Sequence, residues 1–253
     1  MSTAKTYRIG QIVPSSNTTM ETEVPAMLQR AIVPDGVGFT FHSSRAPMKT
    51  VSKDELTAMN GHMVRCASEL NDARMDVIAS ACLVAIMCQG NSYHRETERS
   101  LREVCNARGA ETLIVTSAGA LIEASKALGA KKIAIITPYM KNLTDLVISY
   151  IEGEGIEVLD AVSLEIPDNL EVGARDPLAL VGCVKRLSTQ NADAVVLSAC
   201  VQMPSLAALD IVQQTFDVPV FSTAAATVFE ILRALKLPTE VPAAGGLLSG
   251  QYG

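Results

Sequence analysis

The chain has 253 residues, 48% apolar and 19% charged, with a net charge of -6. This composition supports a sizeable core and excludes a disordered or polybasic chain, so neither nucleic acid nor an anionic membrane is expected as a partner. At roughly 100–200 residues per domain, the length corresponds to one large domain or two small ones. No apolar run reaches the roughly 18 residues of a spanning helix, and the N-terminal stretch lacks the apolar core of a signal peptide, so a cytoplasmic protein is expected. In that setting Cys66, Cys82, Cys88, Cys105, Cys183 and Cys200 are thiols rather than a disulfide framework. None forms a C-x-x-C pair and no His-x-x-x-His occurs, so no metal site is expected.

Strand-like and helix-like runs alternate along the chain. Tyr7–Val13 reads as a strand ending at Pro14, and Val24–Ile32 as a helix opened by acidic residues. Gly38–His42 alternates like a strand. Lys53–Asn71 reads as an amphipathic helix, with Leu56, Met59, Met63, Cys66 and Leu70 at helical spacing. A buried strand at Val77–Ser80, a helix at Glu96–Arg108, a strand at Thr112–Thr116 and a helix at Ala118–Leu128 complete a first set. The pattern then restarts. Strands are expected at Lys132–Ile136, Ile156–Ser163, Ala194–Leu197 and Val218–Phe221. Helices are expected at Leu143–Ile151, Pro177–Ser188, Leu206–Phe216 and Thr223–Leu235. This alternation implies an α/β fold of parallel sheets with right-handed crossovers.

The restart is an internal repeat. Ile9-Gly-Gln-Ile-Val-Pro14 matches Ile133-Ala-Ile-Ile-Thr-Pro138, and Asp76-Val-Ile-Ala-Ser-Ala-Cys82 matches Ala194-Val-Val-Leu-Ser-Ala-Cys200. Val115-Thr-Ser-Ala-Gly-Ala120 loosely matches Phe221-Ser-Thr-Ala-Ala-Ala226. The offsets shrink in order, from 124 to 118 to 106, as shorter connections in the second copy require. Two similar doubly wound halves are therefore expected across a cleft, the first comprising residues 1–118 plus 224–253 and the second residues 119–223. Ligands of such sheets sit beyond the C-terminal strand ends, where all three repeated motifs lie.

The repeat places Cys82 and Cys200 at matched strand ends, and hence on opposite walls of the cleft. A thiolate is a strong nucleophile and a competent proton carrier, and surrounding backbone N–H groups are expected to lower its pKa. The other four cysteines read as small buried residues of helices and of the segment after Cys82. The first strand of each half ends in a polar turn, Pro14-Ser-Ser-Asn-Thr18 and Pro138-Tyr-Met-Lys-Asn142, able to offer neutral donors to a ligand. Pro167-Asp168-Asn169 reads the same way. His62 is expected at the solvent edge of a helix, and His42 and His94 at the surface or in loops. Gly245–Gly250 reads as a tail rather than a nucleotide-binding loop.

Duplicated α/β halves with one cysteine each resemble the aspartate/glutamate racemase superfamily. Within it, Val13-Pro-Ser-Ser-Asn-Thr-Thr-Met-Glu21 followed by Ser-Ala-Cys82 and Ser-Ala-Cys200 resembles the bacterial maleate cis-trans isomerases. Arylmalonate decarboxylases share the scaffold but typically keep only the second-half cysteine, so the pair argues against that branch. The resemblance implies cofactor-free conversion of maleate, a small dicarboxylate, to fumarate. Cys82 adds to the alkene, the central bond rotates, and the thiolate is eliminated, with Cys200 as acid/base or stabilising partner. It further implies that Asn17, Tyr139 and Asn169 bind the substrate carboxylates, together with the backbone N–H groups of Leu83, Val84 and Val201. A homodimer and a place in bacterial breakdown of a pyridine ring such as nicotinate are implied as well. Apart from Lys141, no cation falls on the motif loops, so a dianion has to be held by neutral donors and loop dipoles. Two other readings remain open. A two-cysteine racemase of an amino acid or hydantoin would wash solvent deuterium into the α-carbon. A non-catalytic small-acid binder would have no turnover to lose when Cys82 is removed.

Overall fold

A computed structural model describes residues 4–50, 52–109 and 111–252. The first half builds its sheet from β1 (Lys5–Pro14), β2 (Val37–Ala46), β3 (Val77–Ser80) and β4 (Leu113–Thr116), joined by α1 (Met20–Leu28), α2 (Lys53–Asp72), α3 (Leu83–Met87) and α4 (Tyr93–Ala107). After α5 (Ser117–Ala127), the second half uses β5 (Lys132–Thr137), β6 (Glu157–Ser163), β7 (Ala194–Ser198) and β8 (Val220–Ser222). Its helices are α6 (Lys141–Gly153), α7 (Asn169–Ala174), α8 (Ala179–Cys183) and α9 (Leu206–Gln213), and α10 (Thr223–Ala234) follows β8. All pairings are parallel, and the two four-stranded sheets have the same order, β2-β1-β3-β4 and β6-β5-β7-β8.

The duplication extends to single hydrogen bonds. Ala81 N–H donates to Ile12 at 2.8 Å, and Ala199 N–H donates to Ile136 at 2.8 Å. Thr116 Oγ1 caps α5 through Gly119 N–H at 3.1 Å, and Ser222 Oγ caps α10 through Ala225 N–H at 3.2 Å. The central strands are apolar without alternation because both of their faces are covered; every residue of β3 and of β7 is buried. In α2 the Ser52 hydroxyl accepts from Glu55 N–H, and Leu56, Met59, Met63, Cys66 and Leu70 are buried as their spacing predicts. The last helix, α10, packs against α5 and against α1, β3 and β4 of the first half. Among the described residues, no helix is long and apolar enough to cross a membrane.

Four expectations change. The helix expected over Pro177–Ser188 is only α8 followed by a 3-10 turn at Val184–Arg186. The first helix starts at Met20 and ends at Leu28, leaving Ile32 exposed. Gly245–Gly250 is packed structure rather than a tail. Leu247 and Leu248 are buried, and a Cβ on Gly245, at φ +80°, would lie 2.5 Å from the Val220 carbonyl. His94 is buried in α4, because Tyr150 of the second half reaches it. The Tyr150 hydroxyl accepts from His94 N–H at 3.1 Å and lies 2.5 Å from Nδ1.

Two polar clamps join the halves. In one, Glu154 of the second half receives Arg95 through both guanidinium nitrogens at 2.7 Å, Ser92 Oγ at 2.6 Å and Lys126 Nζ at 3.2 Å. In the other, Glu23 of α1 accepts from Ser205 N–H and Leu206 N–H at 2.7 Å and from Ser205 Oγ at 3.1 Å, capping α9 from the opposite half.

The Arg95 guanidinium, with Ser92 and Lys126, holds the Glu154 carboxyl at a pKa of about 2 against an ordinary 4.5. A depressed carboxylate stabilises the fold above its ordinary pKa, and that contribution is lost as pH falls from 4.5 towards about 2. Glu154→Gln is expected to cost about 2 kcal/mol at neutral pH, allowing for screening at the half-exposed Arg95. Its stability deficit against wild type should vanish by about pH 2. Urea titrations across that range check this; a deficit independent of pH would contradict it.

Candidate active site

One cavity lies at the C-terminal strand ends between the halves. It is lined by Pro14, Asn17, Met48, Cys82, Leu83, Val84, Tyr139, Asn169, Cys200, Val201 and Gln202. All eight residues singled out from the sequence therefore meet at one place. Met48 and Gln202 join them, and neither carries a repeat or spacing signal that marks it. Among the described residues that line the cavity, none is Asp, Glu, Lys or Arg. Lys141, the one cation expected nearby, is 76% exposed and paired with Asp145 at 3.2 Å.

Cys82 sits where the chain turns from β3 into α3 within two residues. The turn forces it into the left-handed region, φ 74° and ψ 73°, a conformation that is costly without glycine and is met at functional sites. The first-turn N–H groups of a helix have no intrahelical acceptor. Ala85 N–H donates to the Cys82 sulfur, and the N–H groups of Leu83 and Val84 belong to the same turn. Cys200 follows β7 at the matched position. Tyr139 O–H and the N–H groups of Gln202 and Met203 donate to its sulfur. Ser198 Oγ fixes this loop by donating to the Cys200 carbonyl at 2.9 Å.

The asparagines are oriented by their other contacts. Asn17 Oδ1 accepts from Met20 N–H at 3.1 Å and opens α1, which leaves its Nδ2 donors for the cavity. Asn169 Nδ2 donates one hydrogen to Ser16 Oγ at 2.5 Å and keeps one. Gln202 Nε2 donates to the Asn169 carbonyl, and Thr19 Oγ1 donates to the Gln202 carbonyl at 2.7 Å. From outside the cavity, Arg45 donates to the Asn17 carbonyl at 2.7 Å and pairs with Glu21. Loops of both halves are thus stitched into one frame. Among the described residues, no group of three or more His, Cys, Asp or Glu side chains is placed to hold a metal ion.

The thiols depart from the expectation of a lowered pKa. Burial pushes Cys82 up to about 12, outweighing the Ala85 N–H; charges on Cys200 and Cys88 would add to the rise. Burial also raises Cys200, against the three donors on its sulfur. Tyr139 is raised well above its ordinary value by burial and by the two cysteines. The backbone donors are present as expected, but desolvation of a charge in this narrow cavity is the larger effect. Burial therefore favours the protonated form of both thiols at neutral pH, and a charge on Cys200 would raise Cys82 further.

Alkylation of Cys82 by iodoacetamide tests this. The rate in the ligand-free protein should rise about tenfold per pH unit from pH 7 to pH 9. A plateau below pH 8, checked by peptide mass spectrometry, would show a standing thiolate and contradict it.

Comparison with known proteins agrees with this geometry. The arylmalonate decarboxylase family matches residues 9–248. A maleate isomerase of Geobacillus stearothermophilus is 59% identical over 98% of this chain and 100% of its own. A variant of the maleate isomerase Iso from Pseudomonas putida S16, solved with maleate, has a TM-score of 0.95 and 55% identity, covering 98% of this chain and 99% of its own. A mutant of the Nocardia farcinica maleate cis-trans isomerase, solved with a covalently bound succinylcysteine intermediate, has a TM-score of 0.93 and 43% identity, covering 98% of this chain and 100% of its own. Near-complete coverage at such identity, on a shared pair of sheets, makes this chain a member of the maleate isomerase family, on the scaffold it shares with arylmalonate decarboxylases.

Proposed function

We propose that this protein isomerises maleate to fumarate by covalent addition of Cys82. The observation that carries the reading is the joint placement of Cys82, Cys200 and neutral donors around one cavity. The covalent succinylcysteine of the Nocardia farcinica relative supports it.

Cys82 sulfur bonds to one alkene carbon. The alkene electron pair moves onto the neighbouring carbon and its carboxylate as an enediolate. The N–H groups of Leu83, Val84 and Val201, with Asn17 and Asn169, stabilise the carboxylates. Cys200 protonates the enediolate or holds its charge, and Tyr139 O–H supports the Cys200 sulfur. Where Cys200 protonates carbon, the proton released by Cys82 replenishes it; where Cys200 only holds the charge, that proton passes to an enediolate oxygen. In either case two neutral thiols enter the step and no standing thiolate is needed. The central bond, now single, rotates; reversal of the same steps expels Cys82 and releases fumarate.

Neutral donors suit this rotation. A cationic clamp would bind the dianion tightly in one geometry, whereas neutral donors exchange partners as the carboxylate turns. The thiol chemistry fits a cytoplasmic setting, where both cysteines stay reduced. A homodimer and a role in degrading a pyridine ring belong to the same reading.

Proton NMR of the reduced protein with maleate in D2O tests the reaction. Fumarate should appear, and Cys82→Ala should lower turnover by about a thousandfold or more, the scale for removing a nucleophile. Deuterium at one position assigns Cys200 to proton delivery with exchange; retention of both vinylic protons fits charge stabilisation or return of the delivered hydron to Cys200. No fumarate from wild-type protein would overturn the reading. Asn17→Ala should also lower turnover strongly, and a near-normal rate would remove Asn17 from its assigned role.

A further inference from the structure

The cavity is far smaller than its proposed occupant. Its volume is about 20 Å³, room for about one water-sized molecule, whereas maleate is a four-carbon dicarboxylate. Some wall has to yield when substrate enters. Most of the walls are stiff. Leu83, Val84 and Val201 are buried, and Pro14 ends a strand. Asn17, Asn169 and Gln202 are held by hydrogen bonds to the frame around them.

Met48 is held differently. It is buried in the segment between β2 and α2, with its thioether 4.0 Å from the Cys82 sulfur. Its backbone is pinned on both sides by one hydroxyl: Met48 N–H donates to Ser15 Oγ at 2.9 Å, and Ser15 Oγ donates to the Met48 carbonyl at 3.1 Å. Glu55 fixes the next turn by accepting from Lys49 N–H at 2.6 Å and Thr50 N–H at 2.7 Å. The backbone is therefore fixed while an unbranched side chain with three rotatable bonds lies on the nucleophile.

An alkene carbon under attack has to come within about 3–3.5 Å of the Cys82 sulfur. The Met48 thioether stands in van der Waals contact with that same sulfur, so no atom fits between them until it swings aside. A group attached to either alkene carbon would compete with the space into which Met48 has to settle. We propose that Met48 determines specificity in this protein, admitting cis-butenedioates that are unsubstituted on the alkene carbons and rejecting 2-alkyl derivatives. This rests on the isomerase reading above and deepens it. A single methylene in an apolar pocket is worth about 10–200-fold in discrimination.

The test compares kcat/KM for 2-methylmaleate and for maleate in wild type, Met48→Ala and Met48→Leu. Met48→Ala should raise the 2-methylmaleate to maleate ratio at least about tenfold, and Met48→Leu, of similar volume, should leave it within about threefold. A merely structural role would depress both substrates together and leave the ratio unchanged. Protection of Cys82 from iodoacetamide by each acid supplies the same ratio as a binding measurement, independent of turnover. An unchanged ratio by both measurements in Met48→Ala, with maleate still isomerised by wild type, would overturn the role of Met48 alone. Failure of wild type to isomerise maleate would instead overturn the isomerase reading.

Discussion

Two thiols facing one narrow cavity, with no charged side chain among the described residues that line it, are the constraint on which this structure turns. Desolvation is costly for any charge placed there, so the resting thiols stay protonated and a bound dianion has to be met by fixed neutral dipoles. Such dipoles contribute more in a water-excluding site than they would in solution, because they are already oriented and no solvent competes for them. The same constraint explains the polar frame around the cavity. Each asparagine spends part of its hydrogen-bonding capacity on the protein, through Met20 N–H for Asn17 and Ser16 Oγ for Asn169, and keeps donors for the ligand.

Duplication builds this enclosure cheaply in sequence terms. Two copies of one strand order bring two equivalent strand ends face to face. The copies differ where function requires it. Cys82 receives one N–H donor on a tight left-handed turn, whereas Cys200 receives the Tyr139 hydroxyl and two N–H groups. A negative charge on sulfur is thus better supported at Cys200, and a strained, less supported sulfur at Cys82 suits bond formation with carbon. Glu23 and Glu154, each reaching across the halves, hold the two copies at the spacing that the cavity needs.

Much of this was legible in the residues. Ile9–Pro14 against Ile133–Pro138, and Ser80-Ala-Cys82 against Ser198-Ala-Cys200, identify the duplication and the position of both thiols. The apolar runs of β3 and β7 identify strands covered on both faces. Contacts made only by tertiary structure were not legible. Leu83–Met87 is a single apolar turn whose helical form depends on the left-handed Cys82 before it. His94 is buried by a tyrosine 56 residues away in the other half. Arg45, Met48 and Gln202 come from segments without periodicity. The thiol pKa values followed enclosure rather than local N–H count, and enclosure is a property of the assembled cleft.

The most direct test of this account is whether carbon–sulfur bond formation occurs at Cys82. Cys200→Ser protein mixed with maleate, quenched in acid and digested, can be read by peptide mass spectrometry. The account predicts the mass of one maleic acid added to the Cys82 peptide and to no other cysteine, and none after Cys82→Ala. An adduct on a different cysteine, or none in protein that still forms fumarate, would contradict it.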